Sequence, residues 1–226
     1  MPMKETDKHF LESYIDSCVT HQAGGSYSLK FPWKTDHPPL PSNYTTCDKR
    51  TRALARRLGK DLNLLQTYGN IISDYLKQSF IEKVPTSSSS KAHYIPHHPV
   101  LKQSSTTPIR IVFDCSCRAS QSHPSLNDCL MTGPPFLNDM CSILIRFRVH
   151  KYGFSTNIEK AFLHVTLDEA DRDFTRFLWL SDHKDPESKF HVRISFQGSV
   201  IWFSELTIHV VCGTTLPFDQ KPLTNI

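Results

Sequence analysis

The apolar residues of this chain change their period near residue 85, and that change limits what the chain can fold into. Between residues 48 and 68, Leu54, Leu58, Leu62 and Leu65 recur three or four positions apart, the spacing that lines one face of an α-helix. The same spacing predicts a second helix over 70–81, with Ile71, Ile72, Tyr75, Leu76 and Phe80 on its buried stripe. Pro85 and the TSSSS run that follows end it in a loop. Beyond that loop the apolar segments are short and rich in β-branched residues. HYIPHHPVLK and PIRIVFD read as two strands around a polar STT turn, the second bounded by Pro108 and Asp114. A further helix is predicted over 136–151, with Leu137, Met140, Cys141, Leu144, Ile145 and Phe147 as its apolar face. Short strands are predicted over 154–158, 161–167 and 174–180. There is no internal repeat, and the pattern is α+β.

The first 47 residues are heterogeneous. A short helix near 9–19 is followed by a break at Gly24 and Gly25, a strand over 27–33 and a linker with Pro38, Pro39 and Pro41. Those prolines remove backbone donors and favour an extended path. At 226 residues the chain is long enough for one large domain or two small ones, and 38% hydrophobic residues with 21% charged supply a core. No apolar run reaches the roughly 20 residues that span a bilayer. The start, MPMKETDKHF, is polar and has no signal-peptide core. These features point away from membrane and secreted classes.

The seven cysteines (18, 47, 115, 117, 129, 141 and 212) are odd in number and contain no CxxC pair. Reduced thiols are therefore the expectation, not a disulfide framework. Among twelve histidines, His93, His97 and His98 cluster, but a zinc site needs about four ligands in recognisable pairing. Core and loop side chains are the expected reading.

The net charge is only +4, yet its cations are concentrated. Lys49, Arg50, Arg52, Arg56, Arg57 and Lys60 crowd one predicted helix, and Arg146, Arg148 and Lys151 end another. A solvated helix face, or cations favourably placed at a helix C-terminus, explains them. So does contact with a phosphate backbone, which needs Lys and Arg but no sequence-specific geometry. The sequence alone does not choose between the two.

Between residues 94 and 180 several ordered strings recur together: YIPHHPVLKQSSTTPIRIVFDCSCRAS, PSLNDCLMTGP and ILIRFRVHKYGFSTNIEKAFLHVTLDEADRDFTRFLW. This stretch resembles the reverse transcriptase of BEL/Pao-type LTR retrotransposons, and the upstream FPWKTDHPPLPSNY and DYLKQSFIEKVP fit the same family. The resemblance covers about residues 27–193 and extends more weakly to the end. It implies the fingers and partial palm of a right-hand polymerase. Residues 1–47 would form an N-terminal segment and Pro-rich linker, 48–150 a fingers-like region, and 151–226 a partial palm truncated before the YxDD hairpin.

The family activity is RNA-directed DNA synthesis from dNTPs on a template–primer. It requires carboxylates to hold two Mg²⁺ ions that activate the primer hydroxyl and stabilise the leaving group. The resemblance places the first of these carboxylates just before Ile158-Glu159-Lys160, where this chain has Asn157. A neutral amide cannot supply the charge, though Asn also serves well as a helix N-cap. Asp168, Asp171 and Asp173 follow in a stretch expected at the surface. In the more divergent C-terminal part, Phe196, Gly198, Phe203 and Thr207-Ile208-His209 are the family's remnants in outline.

The substrate side persists in part. The resemblance makes Arg110 the fingers cation for an incoming triphosphate and Lys102 its partner, which suits a bidentate guanidinium beside a point-charge ammonium. An exposed cation pair on a β-ribbon explains them equally. The expectation is thus a fragment resembling a retrotransposon polymerase and catalytically inactive, with no cofactor of its own where the intact family uses Mg²⁺. Weak electrostatic binding of RNA or DNA template–primer is expected through Lys49, Arg50, Arg52, Arg56, Arg57 and Lys60. A non-catalytic nucleic-acid-binding module, or a protein that assembles with an intact retroelement polyprotein, are the alternatives. An intracellular location, cytoplasmic or in virus-like particles, follows from the resemblance.

Overall fold

Asp61 divides the leucine-rich stretch into two helices. In a computed structural model of the chain, α1 (Tyr44–Leu58) ends at Gly59, and α2 (Leu62–Lys77) begins with Asp61 accepting the Leu64 backbone N–H at 3.1 Å. That side-chain cap satisfies one of the donors a helix start leaves open. The spacing predicts helices over 48–68 and 70–81; the break at 59–61 replaces both boundaries, because the leucine period runs on through it. Leu54, Leu58 and Leu65 are buried, while Leu62, in the first turn after the break, is 56% exposed. At the other end of α1, Asn43 adopts φ 58° and donates to the carbonyls of Tyr94 and Cys117. Asn tolerates this left-handed position better than most residues.

The structure describes residues 16–21, 27–84, 92–101, 109–131, 165–182 and 190–196, with single positions at 13, 141, 144, 145 and 148. Strands β1 (Val19–His21) and β2 (Tyr27–Leu29) pair antiparallel, and β6 (Thr166–Leu167) adds to β2 in parallel. β3 (Ile81–Val84) and β7 (Phe177–Leu180) flank β8 (Phe190–Phe196), both antiparallel to it. β4 (His97–Leu101) and β5 (Ile109–Phe113) form a two-stranded ribbon, His97 opposite Phe113 and Leu101 opposite Ile109. Short helices α3 (Leu126–Cys129) and α4 (Glu169–Arg172) complete the described elements. The mixture of helices and separate antiparallel and mixed sheets is α+β.

β5 alternates as a half-buried strand should: Ile109, Ile111 and Phe113 are buried, Arg110 and Val112 only partly so. β7 is buried at all four positions. Phe177 and Trp179 join the main core with Tyr68, Phe113 and Phe196, whereas Leu178 packs with Cys47, Ala92 and Tyr94 in a second cluster. Leu180 also joins the main core, beyond a register shift that skips one residue of β8.

Several expected elements change. Residues 16–18 are helical, but Val19 already begins β1. The strand over 27–33 shortens to β2, and Trp33 forms an isolated bridge with Leu130. The strand over 174–180 starts only at Phe177, after a 3₁₀ turn (Asp173–Thr175). Positions 141, 144, 145 and 148 are helical as expected, yet Cys141, Leu144 and Ile145 are exposed, not a buried face. The strand over 154–158 lies outside the described residues. Among the described residues no helix is long and apolar enough to cross a membrane.

Candidate nucleic-acid interface

Helix α1 buries Cys47, Thr51, Leu54, Ala55 and Leu58, and that stripe dictates where its cations stand. At 100° per residue, Arg50, Ala53, Leu54 and Arg57 follow one another along one flank of the stripe. Lys49, Arg52 and Arg56 run along the opposite side and the solvent face, and Lys60 follows just past the end of the helix. The six residues that read as one cluster in the sequence are therefore two rows.

The Arg50/Arg57 row faces the β4–β5 ribbon across a cleft of about 290 Å³, walled on the ribbon side by Pro96, His97, His98 and Asp114. The cleft is closed at one side by an ion pair: Arg50 Nη1 donates to Asp114 Oδ2 at 2.7 Å. Ser116 Oγ donates to the other carboxylate oxygen at 2.6 Å. Partial burial works to raise the Asp114 carboxyl, but the Ser116 and Arg50 hydrogen bonds and the Arg50 charge outweigh it, and the net displacement is downward. Asp114 is fixed in turn by its backbone N–H, which donates to Pro96 O at 2.8 Å. With both side chains partly solvated, the pair contributes at most about 1 kcal/mol to stability. Its consequence is geometric: it joins α1 to the end of β5.

In the second row Arg52 is held by Asp48, Nε to Oδ2 at 2.9 Å, one helical turn away. Lys49, Arg56, Arg57 and Lys60 are exposed and form no salt bridge among the described residues. Arg56 and Arg57 also occupy the last turn of α1, where cations complement the helix dipole.

Arg110 lies in β5 opposite Val100. Strand alternation puts it on the ribbon face that also carries His98, the face opposite buried Ile109 and Ile111. Burial raises the Tyr75 phenol, and the Arg110 charge opposes that shift in part. Lys102 and Asn157 lie outside the described residues. The histidines divide. His97 is buried between Tyr68 and the Leu178 carbonyl, His93 is buried against Pro41 O at 2.6 Å, and His98 is exposed in the cleft wall. Among the described residues no group of three His, Cys, Asp or Glu side chains is placed to hold a metal. Cys115 and Cys117 are both buried and unbridged, and burial pushes the Cys115 thiol up to about 12.

In the acidic stretch after β6, Asp168 and Asp173 are partly exposed, and Asp171 alone departs from the expected surface position. Asp171 is only 6% exposed; its Oδ2 accepts the Phe31 backbone N–H at 2.7 Å and its Oδ1 the Trp33 indole N–H at 2.9 Å. Asp168 caps α4 by accepting from Ala170 N at 3.0 Å, and Asp173 binds the fully buried Arg176. Each of the three carboxylates makes a structural hydrogen bond. Phe196, expected as a remnant of a template-site stretch, is a core side chain packed edge-on against Phe113.

The cleft, with His98 and Asp114 in its lining, emerges only in the folded chain. Residue type offered no signal: an Asp closing a strand and a His beside a proline are common loop features, and the Arg50–Asp114 pair spans 64 positions.

No protein-family model and no curated protein sequence matches the chain. Among solved structures it is similar to the prototype foamy virus protease–reverse transcriptase (CSH mutant, selenomethionine-labelled), at 15% sequence identity and a TM-score of 0.43. The match covers 88% of this chain and 22% of the foamy virus chain.

Proposed function

We propose that the chain is fingers and partial palm of a BEL/Pao-type retroelement reverse transcriptase that holds a nucleic-acid template–primer by its phosphates without extending it. The observation that carries the binding half is the surface of α1 and the turn after it: Lys49, Arg56, Arg57 and Lys60 are exposed and form no salt bridge among the described residues. Cations already paired lose a partner when phosphate arrives; these four do not, and each releases phosphate counterions on contact. Arg110, on the ribbon, is the proposed triphosphate contact, with Lys102 as its partner.

The catalytic half rests on donor chemistry. Asn157, at the position of the family's first metal-binding Asp, offers only an amide oxygen, and the neighbouring carboxylates of Asp168, Asp171 and Asp173 are engaged elsewhere. Mg²⁺-dependent incorporation of dNTPs belongs, on this reading, to relatives that keep the carboxylate at the position of Asn157. Photocrosslinking of a bromouridine-substituted RNA–DNA hybrid, followed by peptide mapping, tests the binding half. Crosslinks concentrated on residues 49–60 support it; crosslinks confined to other segments reject it.

A further inference from the structure

The cleft beside α1 differs from the rest of the basic surface in having an apolar floor. Ala53, Leu54 and Pro96 line it, with Arg50, Arg57 and His98 around them. A duplex backbone docks on exposed charge and needs no such cavity. A single strand differs, because its bases are free to leave the stack and bury a planar face against apolar or ring-bearing side chains. A volume of about 290 Å³ lies at the lower end of small-ligand sites, roughly 300–1,000 Å³, a size for one nucleotide unit and not for a helix. Arg57 forms no salt bridge among the described residues, whereas Arg50 is held by Asp114 at 2.7 Å. A guanidinium is the side chain best shaped for bidentate phosphate binding.

We propose that this cleft seats one nucleotide of a single-stranded nucleic acid, its base on the apolar floor beside His98 and its phosphate on Arg57. Asp114 competes with that phosphate for Arg50. The inference rests on the nucleic-acid reading above and narrows its partner to single strands. Ionised Asp114 accepts hydrogen bonds and donates none, so it repels phosphate and withholds Arg50. Neutralising it leaves Arg50 available as a second contact.

Arg56 and Arg57 are adjacent, carry equal charge and are both exposed, but only Arg57 lines the cleft. Fluorescence anisotropy on the full chain, at several salt concentrations, therefore compares R57Q, R56Q and D114N with the unmodified protein. The probes are a labelled oligothymidylate, an abasic oligomer of equal length and charge, and the matched duplex. The expected result is several-fold tighter binding of oligothymidylate than of the abasic oligomer. R57Q should lose about tenfold in affinity and flatten the log–log salt slope by about 0.7, the single-strand value per phosphate. R56Q should lose less than half as much, and D114N should bind tighter with a steeper slope. Equal losses in R57Q and R56Q, with the abasic oligomer bound as tightly as oligothymidylate, would overturn the seat and leave the electrostatic reading standing. Failure of the unmodified chain to bind any probe at low salt would overturn both.

Discussion

The Tyr68 hydroxyl donates to Nδ1 of His97, and Nε2–H of His97 donates to the Leu178 carbonyl at 2.9 Å. The carbonyl can only accept, so the proton sits on Nε2 and Nδ1 is the acceptor. This neutral imidazole connects α2, β4 and β7 through the centre of the main core.

Burial lowers the pKa of His97 to about 4, against the opposing pull of its hydrogen bond to Leu178. The folded state therefore binds this proton less readily than the unfolded state. Stability contributed by the neutral ring is complete above about pH 6.5 and declines as pH falls toward 4, by on the order of 3 kcal/mol in total. His93, also lowered by burial, acts in the same direction. Asp171, raised by burial, acts oppositely and gains stability as pH falls through its folded pKa toward the lower unfolded value. Urea unfolding from pH 7 to 4 should show a net decline for the unmodified chain and a much flatter profile for H97Q. An unchanged profile in H97Q would contradict the assignment. Y68F, which leaves Nδ1 without its donor, should cost about 1–2 kcal/mol at pH 7.

Asp171 supports a second prediction. Its two oxygens satisfy donors on Phe31 and Trp33, 140 and 138 positions away in the chain. D171A should destabilise the chain by about 3 kcal/mol, the cost of stranding two largely buried donors, and quench or shift the indole fluorescence near Trp33. Nucleic-acid affinity, measured where the variant is folded, should be unchanged. A loss of affinity without a loss of stability would give Asp171 a functional role that its geometry does not suggest.

Much of this architecture is legible in the sequence, and the exceptions have physical causes. The alternation of Ile109, Ile111 and Phe113 announces β5, because a strand with one buried face must repeat every second residue. The α1–α2 break is not legible from hydrophobicity, since the leucines keep their spacing across it; the signal is the cap at Asp61, a short polar side chain two residues after Gly59. Asp171 reads as surface by residue type, and only donors brought from the distant β2 region make its burial tolerable. The basic residues of α1 are legible as a cluster, but their division into two rows depends on which face the core claims. The cleft arises from residues far apart in sequence, and no local pattern encodes it.

The catalytic prediction is negative. The 226-residue polypeptide should not extend a primer with Mg²⁺ or Mn²⁺, because Asn157 cannot replace a metal-binding carboxylate. N157D alone should not restore activity, since one carboxylate does not hold two ions. Primer extension on homogeneous protein checks this. Template-dependent incorporation abolished by EDTA would mean that the metal-binding carboxylates lie elsewhere in the chain or that Asp168, Asp171 or Asp173 substitutes for them.

The most direct test of the central claim, that the α1 surface binds nucleic acid through its phosphates, is the salt dependence of affinity for an RNA–DNA hybrid. Lys49, Arg56, Arg57 and Lys60 form no salt bridge among the described residues. At roughly −0.9 per duplex phosphate, a log–log slope of about −3 to −4 is expected when they engage the backbone. Replacing all four with Gln should bring the slope close to zero and abolish measurable binding at moderate salt. A slope near zero for the unmodified chain, or no binding even at low salt, would contradict the account and return these residues to a solvated helix face.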